Sequence, residues 1–147
     1  MTEDFEHISV AEWLKDHPEM PIIAAGDASM TQLAQTLLAE NSRDIYIADD
    51  DNKIIGHLSF GRIVSHLFAQ HRPIQSHRQL FAQITDATAQ ELMDPHFAYA
   101  RADETLCDVI HRQLERDIDN LVVLGQDHHL LGAIKLRELV TESLKSS

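Results

Sequence analysis

The sequence predicts an α+β fold: one β-α-β-β-α unit written twice, the two copies packing as a pseudo-two-fold pair. Three observations predict it. A shift of 76 positions aligns residues 27–68 with residues 103–144 without a gap. Within each copy the apolar period passes from helical to extended and back to helical. A capped helix leads into each copy, and neither copy, at about 60 residues, would bury much core alone.

Taken in order, Ser9 and Glu12 stand in capping-box spacing ahead of a helix that Pro18 closes. The run "PIIAA" from Pro21 reads as a strand. Ser29 with Gln32 announces the next helix, whose apolar stripe is Met30, Leu33, Ala34 and Leu38. "DIYIA" and "IIGHLS", joined by the polar turn "DDDNK", read as an antiparallel pair. After Gly56 and Ser59 the residues Phe60, Ile63, Val64, Leu67 and Phe68 recur at helical spacing, so the strand hands over directly to a helix.

Residues 69–84, "AQHRPIQSHRQLFAQI", match nothing in the other copy and contain Pro73, and they read as a partly helical connection. The second copy opens with Thr88 and Glu91 in capping-box spacing and Pro95 closing the helix. The strand "FAYA" from Phe97 follows, and then Thr105 and Asp108 cap a helix striped by Leu106, Val109, Ile110 and Leu114. "NLVVL", the turn "GQDHH" and "LLGAIK" form the second strand pair, and Leu136, Leu139, Val140 and Leu144 mark the closing helix. The repeats are thus bounded at 9–68 and 85–145.

The composition narrows the function. Of 147 residues 44% are apolar and 24% charged, ordinary for a globular chain, and no apolar run approaches the ~20 residues that span a membrane. The N-terminus "MTEDFEHISV" lacks the basic start and apolar stretch of a secretory signal. One cysteine, Cys107, excludes an intrachain disulfide and suits a reducing compartment, so the expected location is the cytoplasm. The net charge of -12 is spread evenly, with 12 acidic and 5 basic side chains in residues 1–75 and 12 and 7 in the remainder. Such a surface repels phosphate backbones and anionic membranes, which excludes nucleic acid and membrane as partners.

Ten histidines invite a metal, but there is no HExxH and no Cys/His pair at zinc spacing, and His128 and His129 diverge on a turn. His66, His71 and His77 cluster only in sequence. Asp49, Asp50 and Asp51 lack the alternating ligands and downstream Glu of a calcium loop. No metal site is therefore expected. With five glycines there is no phosphate loop, and no nucleophile-base set can be assembled, so the chain is not read as an enzyme.

The pieces "TAQELMDPHFAYARADETLCDVI" and "DHHLLGAIKLRELV", together with their counterparts one repeat earlier, resemble the tandem cystathionine-β-synthase (CBS) domain pair, or Bateman module. The resemblance runs from about Ser9 to Leu144. It implies a non-catalytic module that requires no cofactor, forms a homodimer and binds adenosine-containing ligands (AMP, ADP, ATP or S-adenosylmethionine) in clefts between its two units. The family's pattern at each cleft is Gly-x-x-Thr/Ser-x-x-Asp. A carboxylate there accepts hydrogen bonds from the ribose diol, and the following helix start offers N–H groups to phosphate.

Neither copy keeps that pattern whole. The first reads Gly56, Ser59, Arg62, placing a guanidinium without acceptors where the carboxylate belongs. The second reads Gly132, Lys135, Glu138, keeping a carboxylate one methylene longer. The resemblance therefore places an adenosine nucleotide at the second cleft, with Glu138 on the diol and Lys135 or Arg137 toward phosphate. Ser59 and Arg62 would suit an anion instead. Because the chain begins at Met and holds little beyond the pair, its output is expected to pass through an effector protein. The alternative is a ligand-free dimeric interaction scaffold with degenerate clefts.

Overall fold

The computed structural model describes residues 7–68, 87–116 and 118–146. The connection expected at 69–84, with His71 and His77, lies outside them. The elements are α1 (Val10–Asp16), β1 (Ile23–Ala25), α2 (Met30–Ala39), β2 (Asp44–Ala48), β3 (Ile54–Ser59), α3 (Phe60–Phe68), α4 (Ala89–Leu92), β4 (Ala100–Arg101), α5 (Leu106–Arg116), β5 (Asn120–Leu124), β6 (Leu130–Lys135) and α6 (Leu136–Ser146).

The repeat is visible in the registers. β2 pairs with β3 antiparallel from Asp44↔Ser59 to Ile47↔Gly56, and β5 pairs with β6 from Asn120↔Lys135 to Val123↔Gly132, every partner 76 positions on. Both ladders slip after that last pair, between Ile47 and Ala48 and between Val123 and Leu124. β1 runs parallel to β2 and β4 parallel to β5, giving two three-stranded sheets.

Two compact units result, and they cut across the sequence repeats. The central unit is Ile22–Phe97. The terminal unit joins Met1–Pro21 to Ala98–Ser147. The helix that opens each repeat thus packs with the elements of the other. Backbone hydrogen bonds fix the exchange. In the terminal unit Val10 N–H donates to Glu104 O at 2.8 Å and Leu106 N–H to Ile8 O at 3.0 Å. In the central unit Met30 N–H donates to Ala87 O at 3.1 Å and Ala89 N–H to Ala28 O at 2.9 Å.

Each unit has its own core. In the central unit Met30, Leu33 and Leu37 of α2 meet Ile45, Ile47, Leu58 and Ile63, with Ala87 and Ala89 closing one side. In the terminal unit Val10 and Trp13 of α1 meet Leu106, Val109, Leu121, Val123, Ile134 and Leu139. Full burial of each large apolar side chain favours the fold by about 1.5–3 kcal/mol. The expected stripes hold at their first three positions, Met30, Leu33 and Ala34 and then Leu106, Val109 and Ile110, and miss by one position at the fourth. Leu38 and Leu114 are 67% and 63% exposed, and their core places go to Leu37 and Gln113. Val140 and Leu144 of α6 are likewise exposed, at 52% and 70%.

The caps follow the sequence with one exception. Ser29 and Gln32 form the full reciprocal box, Ser9 Oγ accepts from Glu12 N–H at 3.1 Å, and Thr105 Oγ1 accepts from Asp108 N–H at 3.4 Å. Thr88 makes no side-chain cap, because α4 is a single turn. Its chain turns extended at Met93 so that Asp94 can exchange both backbone bonds with His57, at 2.8 and 3.1 Å.

Candidate functional site

In the terminal unit the expected site lies where β6 hands over to α6. The first N–H of α6, on Leu136, donates to Asp119 O at 2.7 Å, which fixes the angle at which the helix leaves the strand. The segment after α1 lies along β6: Ala133 N–H donates to Glu19 O at 3.1 Å. Gly132 permits this approach, since a Cβ there would stand 3.0 Å from that carbonyl oxygen and 3.1 Å from Leu14 Cδ2.

Two expected residues come together on this face, with a third that the sequence did not point to. Lys135 Nζ stands 3.2 Å from Glu19 Oε2. Glu138, in the first turn of α6, has its carboxyl held above the usual carboxylate range by burial first, then by the charge of Glu19 and a hydrogen bond with it, while His17 and Lys135 pull the other way. One turn on, Glu142 Oε1 lies 3.5 Å from His17 Nε2, and that contact holds the Glu142 carboxyl low. The His17 ring stacks on Trp13 at 3.8 Å and 13°. Arg137 is exposed on the helix surface.

The other two expected residues belong to the central unit and are engaged in holding it together. Ser59 Oγ accepts from Arg62 N–H at 2.9 Å, capping α3. Arg62 donates through Nε to the carbonyl of Leu92, tying α3 to the end of α4. Met93 fills the space over Gly56, its Sδ only 2.2 Å from where a Cβ would be.

The sequence also gave no notice of a buried polar pair in this unit. His57 Nε2 and Asp44 Oδ1 are 2.8 Å apart, with the side chains 13% and 3% exposed. Tyr46 leans on the imidazole at 4.8 Å and meets Phe97 edge-on at 6.3 Å. The corresponding positions of the second repeat are Asn120 and Ala133, so the pair belongs to one unit alone. The alternation of "IIGHLS", which puts His57 on the face opposite Leu58, was the available signal. For Glu19 and His17 there was none, since the repeats differ in length just there. Among the described residues no group of three or more His, Cys, Asp or Glu side chains could hold a metal, and no helix is long and apolar enough to cross a membrane.

The comparisons with known proteins agree with this fold. Residues 89–145 match the family model for the CBS domain. A CBS domain-containing protein from Thermotoga maritima superimposes with a TM-score of 0.75 at 18% identity, covering 95% of this chain and 96% of its own. The chain has the fold of a CBS domain pair. CBSX2 in complex with AMP matches this chain with a TM-score of 0.72 at 18% identity, covering 94% and 97% of the two chains. The CBS domain pair of protein MJ0100, in complex with 5′-methylthioadenosine and S-adenosyl-L-methionine, matches with a TM-score of 0.70 at 20% identity, covering 95% and 97%. No functionally curated relative matches the sequence. The expected α+β architecture of two repeats is the observed one.

Proposed function

We propose that this CBS pair is a regulatory module that binds an adenosine-containing ligand at the Gly132–Lys135–Glu138 face and relays its presence to a partner protein. The observation that carries the reading is Glu138: a half-buried carboxyl at the start of a helix, six residues after a glycine that lets the backbone come close. A carboxylate so placed can accept from both hydroxyls of a ribose. Solved CBS structures in complex with AMP and with S-adenosyl-L-methionine support the choice of ligand class.

The central unit favours the second reading for its own half. Ser59, Arg62 and the space above Gly56 are all committed to internal contacts, so a degenerate site there fits better than an anion site. The module is proposed to work as a homodimer, supported by the outward-facing leucines at equivalent places in the two repeats, Leu38 and Leu114. A cytoplasmic location, supported by the single cysteine, belongs to the same proposal. No catalytic role is assigned to it.

The test is a thermal-shift panel of AMP, ADP, ATP, S-adenosylmethionine and NAD. A ligand at a hundred times its dissociation constant adds about 2.7 kcal/mol of stability, a shift of several degrees. Glu138→Ala should abolish any such shift, whereas Ser59→Ala should leave it. Silence across the panel would favour the ligand-free scaffold.

A further inference from the structure

From the pairing of Glu19 with Lys135 we infer that this site discriminates against phosphate: among adenosine compounds it takes the uncharged nucleoside or the cationic sulfonium in preference to nucleoside phosphates. The inference rests on the reading of Glu138 given above and adds to it the charge of the ligand.

Lys135 is the ammonium nearest the start of α6, and it is already neutralised, with Nζ 3.2 Å from Glu19 Oε2. Glu19 is delivered by a fixed backbone. Its carbonyl holds Ala133 N–H at 3.1 Å, it lies against Gly132, and Pro18 and Pro21 flank it. The carboxyl of Glu138 stands near enough to Glu19 to share a hydrogen bond with it. Two carboxyl groups thus face one ammonium. On the next turn Glu142 is held by His17 and, at 3.4 Å, by Lys145.

Arg137, exposed and immediately before Glu138 in sequence, lies about 100° from it round the helix. The N-terminus of α6 offers an anion the equivalent of about half an elementary charge, less than one carboxylate takes away. An arriving phosphate must therefore displace Glu19 from Lys135 or sit against uncompensated carboxylate. A sulfonium meets attraction at the same place, and the net charge of -12 acts in the same direction over longer range.

The experiment is calorimetric titration of the full chain with adenosine, AMP and S-adenosylmethionine, at about 0.05 and 0.5 M salt, between which the Debye length falls several-fold. In the natural protein, adenosine and S-adenosylmethionine should bind at least about fivefold more tightly than AMP, the effect of one partly screened charge. Glu19→Gln should narrow the gap by improving AMP about fivefold while leaving adenosine within about twofold. AMP binding to the natural protein should hold or tighten as salt rises, because repulsion is being screened.

AMP binding at least as tightly as adenosine, AMP weakening with salt as it would on a free lysine, or an unchanged AMP-to-adenosine ratio in Glu19→Gln would each overturn the inference. The salt arm needs no variant, so a folding defect in Glu19→Gln leaves a decisive measurement. If none of the three compounds binds, or if Glu138→Ala binds all three as the natural protein does, the adenosine reading itself fails and this inference falls with it.

Discussion

Gln113 stands in the terminal unit where Leu37 stands in the central one, each buried in its own core on the last turns of the first repeat helix. Both accept the same backbone bond on their carbonyls, from Ile118 N–H at 3.1 Å and from Ser42 N–H at 3.0 Å. The Gln113 side chain adds a knot of its own. Nε2 lies 3.2–3.4 Å from the carbonyls of Ile118, Asp119 and Ile134, joining α5 to β6, while Oε1 has no partner among the described residues.

An amide nitrogen has two hydrogens for those three carbonyls, and a buried acceptor left unmade costs about 1–3 kcal/mol. Gln113→Leu removes the orphaned oxygen along with the knot, and the central unit shows that leucine fits the position. Its stability in urea should stay within about 1.5 kcal/mol of the natural protein, as volume-conserving swaps do. Gln113→Ala should instead lose about 2–4 kcal/mol, since it loses the knot and leaves a cavity. Equal losses in the two variants would show the amide bonds to matter more than the volume.

Gly56 and Met93 make a second coupled pair. A methyl group at Gly56 would overlap Met93 at Cβ, Cγ and Sδ, at 2.9, 2.6 and 2.2 Å, so the whole side chain must move. Gly56→Ala should cost about 1–3 kcal/mol by overpacking. In a Met93→Ala background the same change should cost markedly less, giving a coupling energy of at least about 0.5 kcal/mol in a double-mutant cycle. Additive losses would mean that Met93 does not occupy this space in solution.

What the sequence made legible, and what it hid, follows from the range of the interactions. The offset of 76, the antiparallel strand pairs and the caps at Ser9, Ser29 and Thr105 depend on neighbours a few residues apart, and all are present. Helical spacing alone does not decide between adjacent positions at the end of a stripe, so it favours Leu38 and Leu114 over Leu37 and a polar Gln113, which take the core places. The exchange of α1 and α4 depends on which surface each short helix closes, a tertiary choice. At the candidate site Glu138 and Lys135 could be read from the repeat, but Glu19 reaches them from the far end of the chain, across a stretch where the repeats do not align.

Two carboxyl groups of the terminal unit should give pH dependences of opposite sign. Hydrogen bonds from Arg112, at 2.6 and 3.0 Å, hold the Glu104 carboxyl below its ordinary range, helped by the Arg101 N–H and opposed by burial. Its contribution is present above the ordinary carboxylate value of about 4.3 and is lost as pH falls through the lowered folded value. Glu138 is raised, so its contribution is present below about 4.3 and lost as pH rises through the raised folded value. Glu104→Gln should therefore melt below the natural protein at pH 7 and converge with it in acid. Glu138→Gln should melt above it at pH 7 and converge with it on acidification, the pattern of a group kept for binding at some expense of stability. The same sign for both variants would contradict the assignment.

Trp13 is the only tryptophan in the chain, and its indole lies under the His17 ring, whose Nδ1 is 3.3 Å from Trp13 O. Emission from Trp13 therefore reports on the place where α1 meets the candidate site. His17→Ala should change that emission and lower stability by about 0.5–1.5 kcal/mol, the worth of a stacked ring pair. An unchanged spectrum would show that the stack does not form in solution.

The exposed apolar residues are the last feature with a measurable consequence. Leu38 and Leu114 occupy equivalent positions on α2 and α5, and Val140 and Leu144 lie one turn apart on α6, all more than half exposed. Repetition matters here, because single exposed leucines are common and need no explanation, whereas the same outward leucine in both repeats points to a covered surface. A second copy of the chain is the occupant proposed. Light scattering on a sizing column should give twice the 16.6 kDa chain mass for the natural protein. Replacing Leu38 and Leu114 together by Asp, which leaves both cores untouched, should give the monomer with its fold retained. A natural protein that elutes as a monomer at micromolar concentration would remove the second copy and leave these leucines to a different partner.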